Sequence, residues 1–287
     1  MTNGILIYAH NHRSVDYALM SVISGGLAKK YLNVPASLVT DQPTVEWMKE
    51  SQIFDKANTV FEHIIIVDSP QTNNSRRLYD GDENTVVPFI NSNRCSAWDL
   101  TPYDRTLLID GDFLIFSNTL NEYWDVDADL LIGESINDIY DQKRLGYHDK
   151  YVSDVGIKLY WATTVMFTKN AQSRAFFDTV QYVKTNYEYY ADIFRFDPSQ
   201  YRNDIAFSIA KHILGGFITN TNSNLPPVLT AVDRDILHSV DANGKLTFLI
   251  NYRFSHNFCA ASITDTDLHI MNKQSIIRNA ESLLKLI

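Results

Sequence analysis

Short, unbroken aliphatic runs recur through the first half of the chain and constrain its fold more than any other feature. Gly4-Ile5-Leu6-Ile7-Tyr8-Ala9, Ser37-Leu38-Val39-Thr40, His63-Ile64-Ile65-Ile66-Val67, Thr106-Leu107-Leu108-Ile109 and Leu130-Leu131-Ile132 hardly alternate with polar residues. A strand with one wet face alternates. A strand without alternation is covered on both faces, as in a parallel sheet flanked by helices. A helical stretch from Ser14 to Leu32 follows the first run and supplies the crossover that parallel strands need. The expected class is therefore α/β, a Rossmann-like, doubly wound sheet whose ligand crevice lies beyond the carboxyl ends of the strands.

The second half reads differently. Lys158 to Phe167 alternates like a half-exposed strand, and Asn170 to Tyr187 shows helical spacing. Asn243-Gly244 signals a two-residue hairpin turn between residues 237–240 and 245–251. Ser275 to Ile287 places its apolar residues on one helical face. No composition break separates the halves, so a single domain over residues 1–287 is expected.

With 45% hydrophobic and 21% charged residues the chain has the material for a large core, which excludes disorder. No apolar run is long enough to span a membrane, and the first residues lack the layout of a signal peptide. Cys95 and Cys259 are too few for a disulfide framework or a structural zinc site. These readings together predict a cytoplasmic protein. The net charge of -9 argues against broad nucleic-acid binding and is compatible with holding divalent cations.

Three of the aliphatic runs end in an acid, at Asp41, Asp68 and Asp110. The last opens Asp110-Gly111-Asp112, followed at once by Phe113-Leu114-Ile115. Two carboxylates at the mouth of a buried strand offer the oxygen ligands that Mg2+ or Mn2+ takes alongside phosphates. Glycine between them is expected to tighten the turn and let a phosphate approach the backbone. The spacing alone says little, because it recurs at Asp80/Asp82, Asp125/Asp127, Asp127/Asp129, Asp233/Asp235 and Asp265/Asp267. Those are expected to be mostly solvated loop acids, and Asp80-Gly81-Asp82 has no strand leading into it. A purely structural turn is the competing reading of Asp110/Asp112 itself.

The segment Tyr103-Asp104-Arg105-Thr106-Leu107-Leu108-Ile109-Asp110-Gly111-Asp112-Phe113-Leu114-Ile115 resembles the signature of nucleotide-sugar-dependent glycosyltransferases of the GT-A fold. It is most like the family 8 type, which writes Tyr-Asp-Lys-x-Leu-Tyr-Leu-Asp-x-Asp. The resemblance implies a GT-A domain with a nucleotide-sugar-binding half over residues 1–115 and an acceptor-binding half over 116–287. It implies Mn2+ or Mg2+ bridging the diphosphate of a UDP- or GDP-sugar, with Asp110 and Gly111 at the donor. Asp110 would face ribose and metal, and Asp112 would be the firmer ligand.

A third metal ligand is implied at His269, in His269-Ile270-Met271-Asn272-Lys273, with Lys273 on the diphosphate. The glycine and Pro-Trp usual in that motif are missing here, and His256 is the rival. Ala9 and Asn11 are implied backbone contacts to base and ribose, Arg13 a phosphate contact, Asp41 a base or ribose partner and Arg94 a donor contact. Thr163 and Thr164 stand where the family writes Asn-x-Gly-Val-Met, facing the donor sugar. Asn203 and Asp204 resemble an Asn-Asp-Gln element, with Ile205 in place of glutamine. Asp204 would position the acceptor or act as a general base; the competing reading is an acid favoured by a helix dipole.

The function this implies is metal-dependent transfer of a sugar from a nucleoside-diphosphate sugar to an acceptor hydroxyl. A nucleotidyltransferase is the nearest alternative, but Ala9 to Arg13 contains no glycine for a phosphate loop. A non-catalytic sugar- or partner-binding protein on a GT-A-like scaffold is the other. The acceptor stays open between a saccharide, a protein, a lipid-linked sugar and a hydroxylated nucleobase, and so do stereochemistry and oligomeric state. Tyr187, Tyr189, Tyr190, Phe194 and Tyr201 would stack on a sugar or base or simply pack.

Overall fold

A computed structural model describes residues 1–69, 74–154, 156–217, 224–251 and 258–287. Among these, seven strands form one mixed sheet in the order Asn224–Leu225, Leu130–Gly133, Trp161–Thr168, Arg105–Ile109, Asn3–Tyr8, Ala36–Asp41, Phe61–Val67. The last four are parallel, whereas Trp161–Thr168 runs antiparallel to both neighbours. The chain winds outward from Asn3–Tyr8 to one edge, then returns to Arg105–Ile109 on the other side of the first strand. That reversal opens a crevice at the carboxyl ends of those two strands, where open α/β sheets bind ligands. The doubly wound α/β sheet expected from the aliphatic runs is the architecture observed, made mixed by Trp161–Thr168.

One contiguous apolar core joins both halves of the chain, with Ile5, Leu107 and Phe167 from the sheet and Phe176, Phe177 and Phe207 from two helices. Helix Tyr17–Leu32 crosses one face, capped by the Asp16 carboxylate, which accepts from the Leu19 amide at 2.9 Å. Helices Ala171–Thr185 and Asn203–Leu214 pack on one another, the second against Trp161–Thr168. Among the described residues no helix is long and apolar enough to cross a membrane.

A second sheet, in the order Phe113–Leu114, Leu268–Ile270, Val228–Ala231, Ile136–Asp138, extends from the end of Arg105–Ile109. Its antiparallel pairing sets His269 opposite Phe113. Beside it the buried Arg144 guanidinium meets two carboxylates, Asp138 at 2.5 Å and Asp235 at 2.7 Å.

Several expectations are corrected. Trp161–Thr168 is buried along almost its whole length, because both its faces are covered, helix Asn203–Leu214 packing against it; its Thr-Thr polarity mimics alternation. Phe61–Val67 is a half-exposed edge, with Ile66 53% exposed, so its aliphatic run does not report two covered faces. The hairpin around Gly244 has Val240 paired with Leu246, which leaves a loop longer than two residues; only Gly244, at φ +81°, enters the left-handed region there. The final helical stretch breaks at Asn279 into Lys273–Arg278 and Ala280–Leu284. Among the acids expected to be solvated, Asp235 is fully buried on Arg144. Asp267 accepts from the Phe116 and Ser117 amides at 2.9 and 2.8 Å.

The stretch before Asp80-Gly81-Asp82 is also a strand. Ser75–Asp80 pairs with Glu83–Pro88 as a hairpin turning at Gly81, whose φ is +63°. Asp80 receives Arg278 Nη2 at 2.7 Å and Asn272 Nδ2 at 3.2 Å, which pins the hairpin to the start of the C-terminal helix.

Candidate active site

Arg105–Ile109 delivers Asp110 to the crevice, and the turn is held from both sides. The Asp110 amide donates to the Thr163 carbonyl at 3.1 Å, and the Phe113 amide returns to the Asp110 carbonyl at 3.1 Å. The Ile270 amide donates to the Asp112 carbonyl at 2.9 Å, so the strand carrying His269 is bonded to the turn. Asp110, Asp112 and His269 thereby each bring a ligand atom within 4.8 Å of the others.

The charges are tightly matched. Lys273 Nζ lies 2.5 Å from Asp112, His269 Nε2 lies 3.4 Å from the same carboxylate, and Arg94 Nη1 lies 2.9 Å from Asp110. Burial pushes the Asp112 carboxyl up, but Lys273 and His269 outweigh it and hold it far below the ordinary carboxylate range. At Asp110 burial wins: Arg94 opposes it, the neighbouring Asp112 charge adds to it, and the carboxyl sits above its usual value. Burial lowers the Lys273 ammonium, with Asp112 pulling it back up.

Two carboxylates and an imidazole are a donor set that suits Mn2+, while Mg2+ favours oxygen ligands. The residues fit a divalent cation, with one departure. His269 Nδ1 is buried without a hydrogen-bond partner, whereas a metal-bound imidazole usually passes its other N–H to an acceptor.

The cleft around this cluster has a volume of about 350 Å³ and includes Asp110, Gly111, Asp112, His269 and Lys273. Arg94, Thr163, Asn203 and Asp204 also line it. Asp204 is engaged by Arg202, whose Nε lies 3.1 Å from it. Asn203 Nδ2 donates to the Asn91 backbone carbonyl at 3.0 Å, and Asn203 Oδ1 is buried with no partner. A Cβ at Gly111 would find its nearest neighbour, the Ser21 nitrogen, at 3.8 Å, and its φ is not in the left-handed region. Tightening of the turn therefore does not demand glycine there.

Other expected contacts lie outside the lining of this cleft. Asp41 is spent as a helix cap, accepting from the Thr44 amide at 3.0 Å and the Ser69 hydroxyl at 2.7 Å. The Ala9 carbonyl accepts from Thr40 Oγ1 at 2.6 Å, and the Asn11 side chain accepts from the Ala18 amide at 3.2 Å. Arg13 is exposed, and Thr164 is buried in the sheet. His256 lies outside the described residues. Of the aromatic residues, Tyr201 lines the cleft, Tyr187 packs on it at 4.9 Å between rings, and Tyr189 is exposed.

Sequence reading missed Arg76, Tyr17, Asn91 and Arg202, all of which line the cleft. Asn91 accepts from the His10 amide at 2.9 Å and so ties the exit of the first strand to Asn203. Arg76 arrives on the hairpin. Nothing in the sequence immediately around Arg76 marks it as a cleft residue; only Gly81 signals the turn of the hairpin that carries it.

No protein-family model and no curated protein matches the sequence. Among solved structures, the chain is similar to an active-site mutant of LgtC, with TM-score 0.45 and 12% identity over 78% of this chain and 72% of that one. It is also similar to the galactosyltransferase LgtC in complex with donor and acceptor sugar analogs, with TM-score 0.43 and 14% identity over 72% and 70%. A third is apo mouse xyloside xylosyltransferase 1, with TM-score 0.41 and 10% identity over 77% and 84%. Similarity of this size concerns the path of the chain; the chemistry of the cleft rests on its own side chains.

Proposed function

We propose that the chain is a glycosyltransferase that moves a sugar from a nucleoside-diphosphate sugar, UDP- or GDP-linked, to an acceptor hydroxyl. The observation that carries this reading is the meeting of Asp110, Asp112, His269 and Lys273 at the reversal point of a doubly wound sheet. Asp110, Asp112 and His269 would hold Mn2+ or Mg2+, which supplies positive charge to the diphosphate when bound.

In the reaction, the bond between the anomeric carbon and the diphosphate oxygen breaks, and the acceptor oxygen bonds to that carbon as its proton passes to the departing diphosphate or to solvent. The diphosphate leaves with the electron pair, and fixed cations aimed at that developing charge lower the barrier. Lys273 is the protein's cation for this role, and Arg94 holds Asp110 in place at 2.9 Å. Asn203 retains an unpartnered buried acceptor atom for a sugar hydroxyl. Asp204, braced by Arg202, suits acceptor positioning.

Calorimetry with UDP and GDP, each with and without Mn2+, tests the reading. Metal-dependent binding of one nucleoside diphosphate is expected. Absence of any metal-dependent binding overturns it.

A further inference from the structure

Three of the cations lining the cleft are matched by carboxylates: Arg94 by Asp110, Lys273 by Asp112 and Arg202 by Asp204. Arg76 is different. It is half-buried on the hairpin, and its guanidinium donates to the Tyr17 hydroxyl, a neutral group. It lies over the rings of Tyr17 at 5.5 Å and Phe89 at 5.1 Å. No carboxylate pairs with it among the described residues, and its Nε is buried with no hydrogen-bond partner. Withdrawing a charge from water without a counter-ion is costly. A guanidinium packed against aromatic rings and without a carboxylate partner suits the recognition of phosphate oxygens.

Its position selects the ligand. Arg76 and Tyr17 line the same cleft as Asp110, Asp112 and Lys273, and Gly111, between the two acids, lies against Ser21, one helical turn past Tyr17. Arg76 therefore faces the metal-binding end of the cleft. The hairpin is held there by Asp80, which bonds Asn272 and Arg278 on either side of Lys273 in sequence.

Resting on the glycosyltransferase reading, we infer that Arg76 is a second diphosphate clamp. Its guanidinium, brought in by the Ser75–Pro88 hairpin, binds the phosphate oxygens of the nucleoside-diphosphate donor opposite Lys273. It is a binding and charge-neutralising residue that is not part of the Asp-x-Asp and histidine cluster.

The test is titration calorimetry with Mn2+ on wild type, Arg76→Gln and Arg76→Lys, using UDP and GDP, UMP and GMP, and inorganic pyrophosphate, with melting curves confirming that each variant folds. Loss of a charge-assisted contact predicts that Arg76→Gln weakens diphosphate binding by about tenfold or more. Monophosphate binding should fall much less, and Arg76→Lys should recover part of the loss. Undiminished diphosphate binding by folded Arg76→Gln overturns the inference, and so does an equal loss for monophosphate and diphosphate. If wild type binds neither UDP nor GDP, the donor reading fails, and pyrophosphate decides the clamp. Loss of pyrophosphate binding in Arg76→Gln then sustains it, whereas equal binding, or none by wild type, removes it.

Discussion

Asp110 and Asp112 stand two residues apart, each against its own cations. Asp112 is buried against Lys273 and His269, while Asp110 shares its charge with Arg94 at the cleft wall. Asp112→Asn therefore has two separable effects. It removes a candidate metal ligand; outer-shell changes alone cost 10–100-fold in metal affinity, so Mn2+-dependent nucleotide binding should fall by more than about 100-fold. It also leaves the Lys273 ammonium buried without its counter-ion, which should lower stability by about 3–5 kcal/mol in denaturant titration. The double variant Asp112→Asn/Lys273→Met should regain much of that stability and none of the binding. Recovery of metal-dependent binding would show that Asp112 is not a ligand. The place of the acid pair at a strand end was legible in the sequence because an aliphatic run leads into it, whereas Lys273 came forward only through the family resemblance. Arg76 was not legible, because its role depends on Tyr17 and Phe89, which lie far from it in sequence.

At the scale of elements, the aliphatic runs predicted the central strands well wherever both faces are covered. They misled at Phe61–Val67, since a sheet edge can carry the same composition as its centre. The wall opposite the acid turn depends on an irregularity that composition does not reveal. Between Trp161 and Val165 the pairing with Leu130–Gly133 slips out of register, and the backbone there gives the Thr163 carbonyl to Asp110. Such bulges redirect a strand locally. Gly133 makes room for this one: a Cβ would stand 2.6 Å from the Trp161 carbonyl and 3.0 Å from Thr164 Oγ1. Gly133→Ala should destabilise the fold by about 1–3 kcal/mol, measured by chemical denaturation, and should weaken metal-dependent nucleotide binding by displacing the strand behind Asp110. An unchanged midpoint would mean that the bulge yields at little cost.

Across the whole molecule, acid sensitivity should come partly from buried imidazoles. Burial holds His10 and His212 below the usual histidine range, although Asn91 at 2.9 Å and the Lys158 carbonyl at 2.9 Å oppose it. The unfolded chain takes up these protons near pH 6.5, while the folded chain resists until lower pH. Their contribution to stability is thus complete above about pH 6.5 and is lost as the pH falls toward the folded values. His212→Gln should flatten the decline of melting temperature between about pH 7.5 and pH 5 relative to wild type; parallel curves would exclude this linkage. A different consequence follows from the pairing of Leu268–Ile270 with Phe113–Leu114. During synthesis, the acid turn emerges long before its histidine and lysine. The site is therefore completed only after residues 113–268 have been made, and ligand capture would follow the folding of the main sheet rather than guide its early steps.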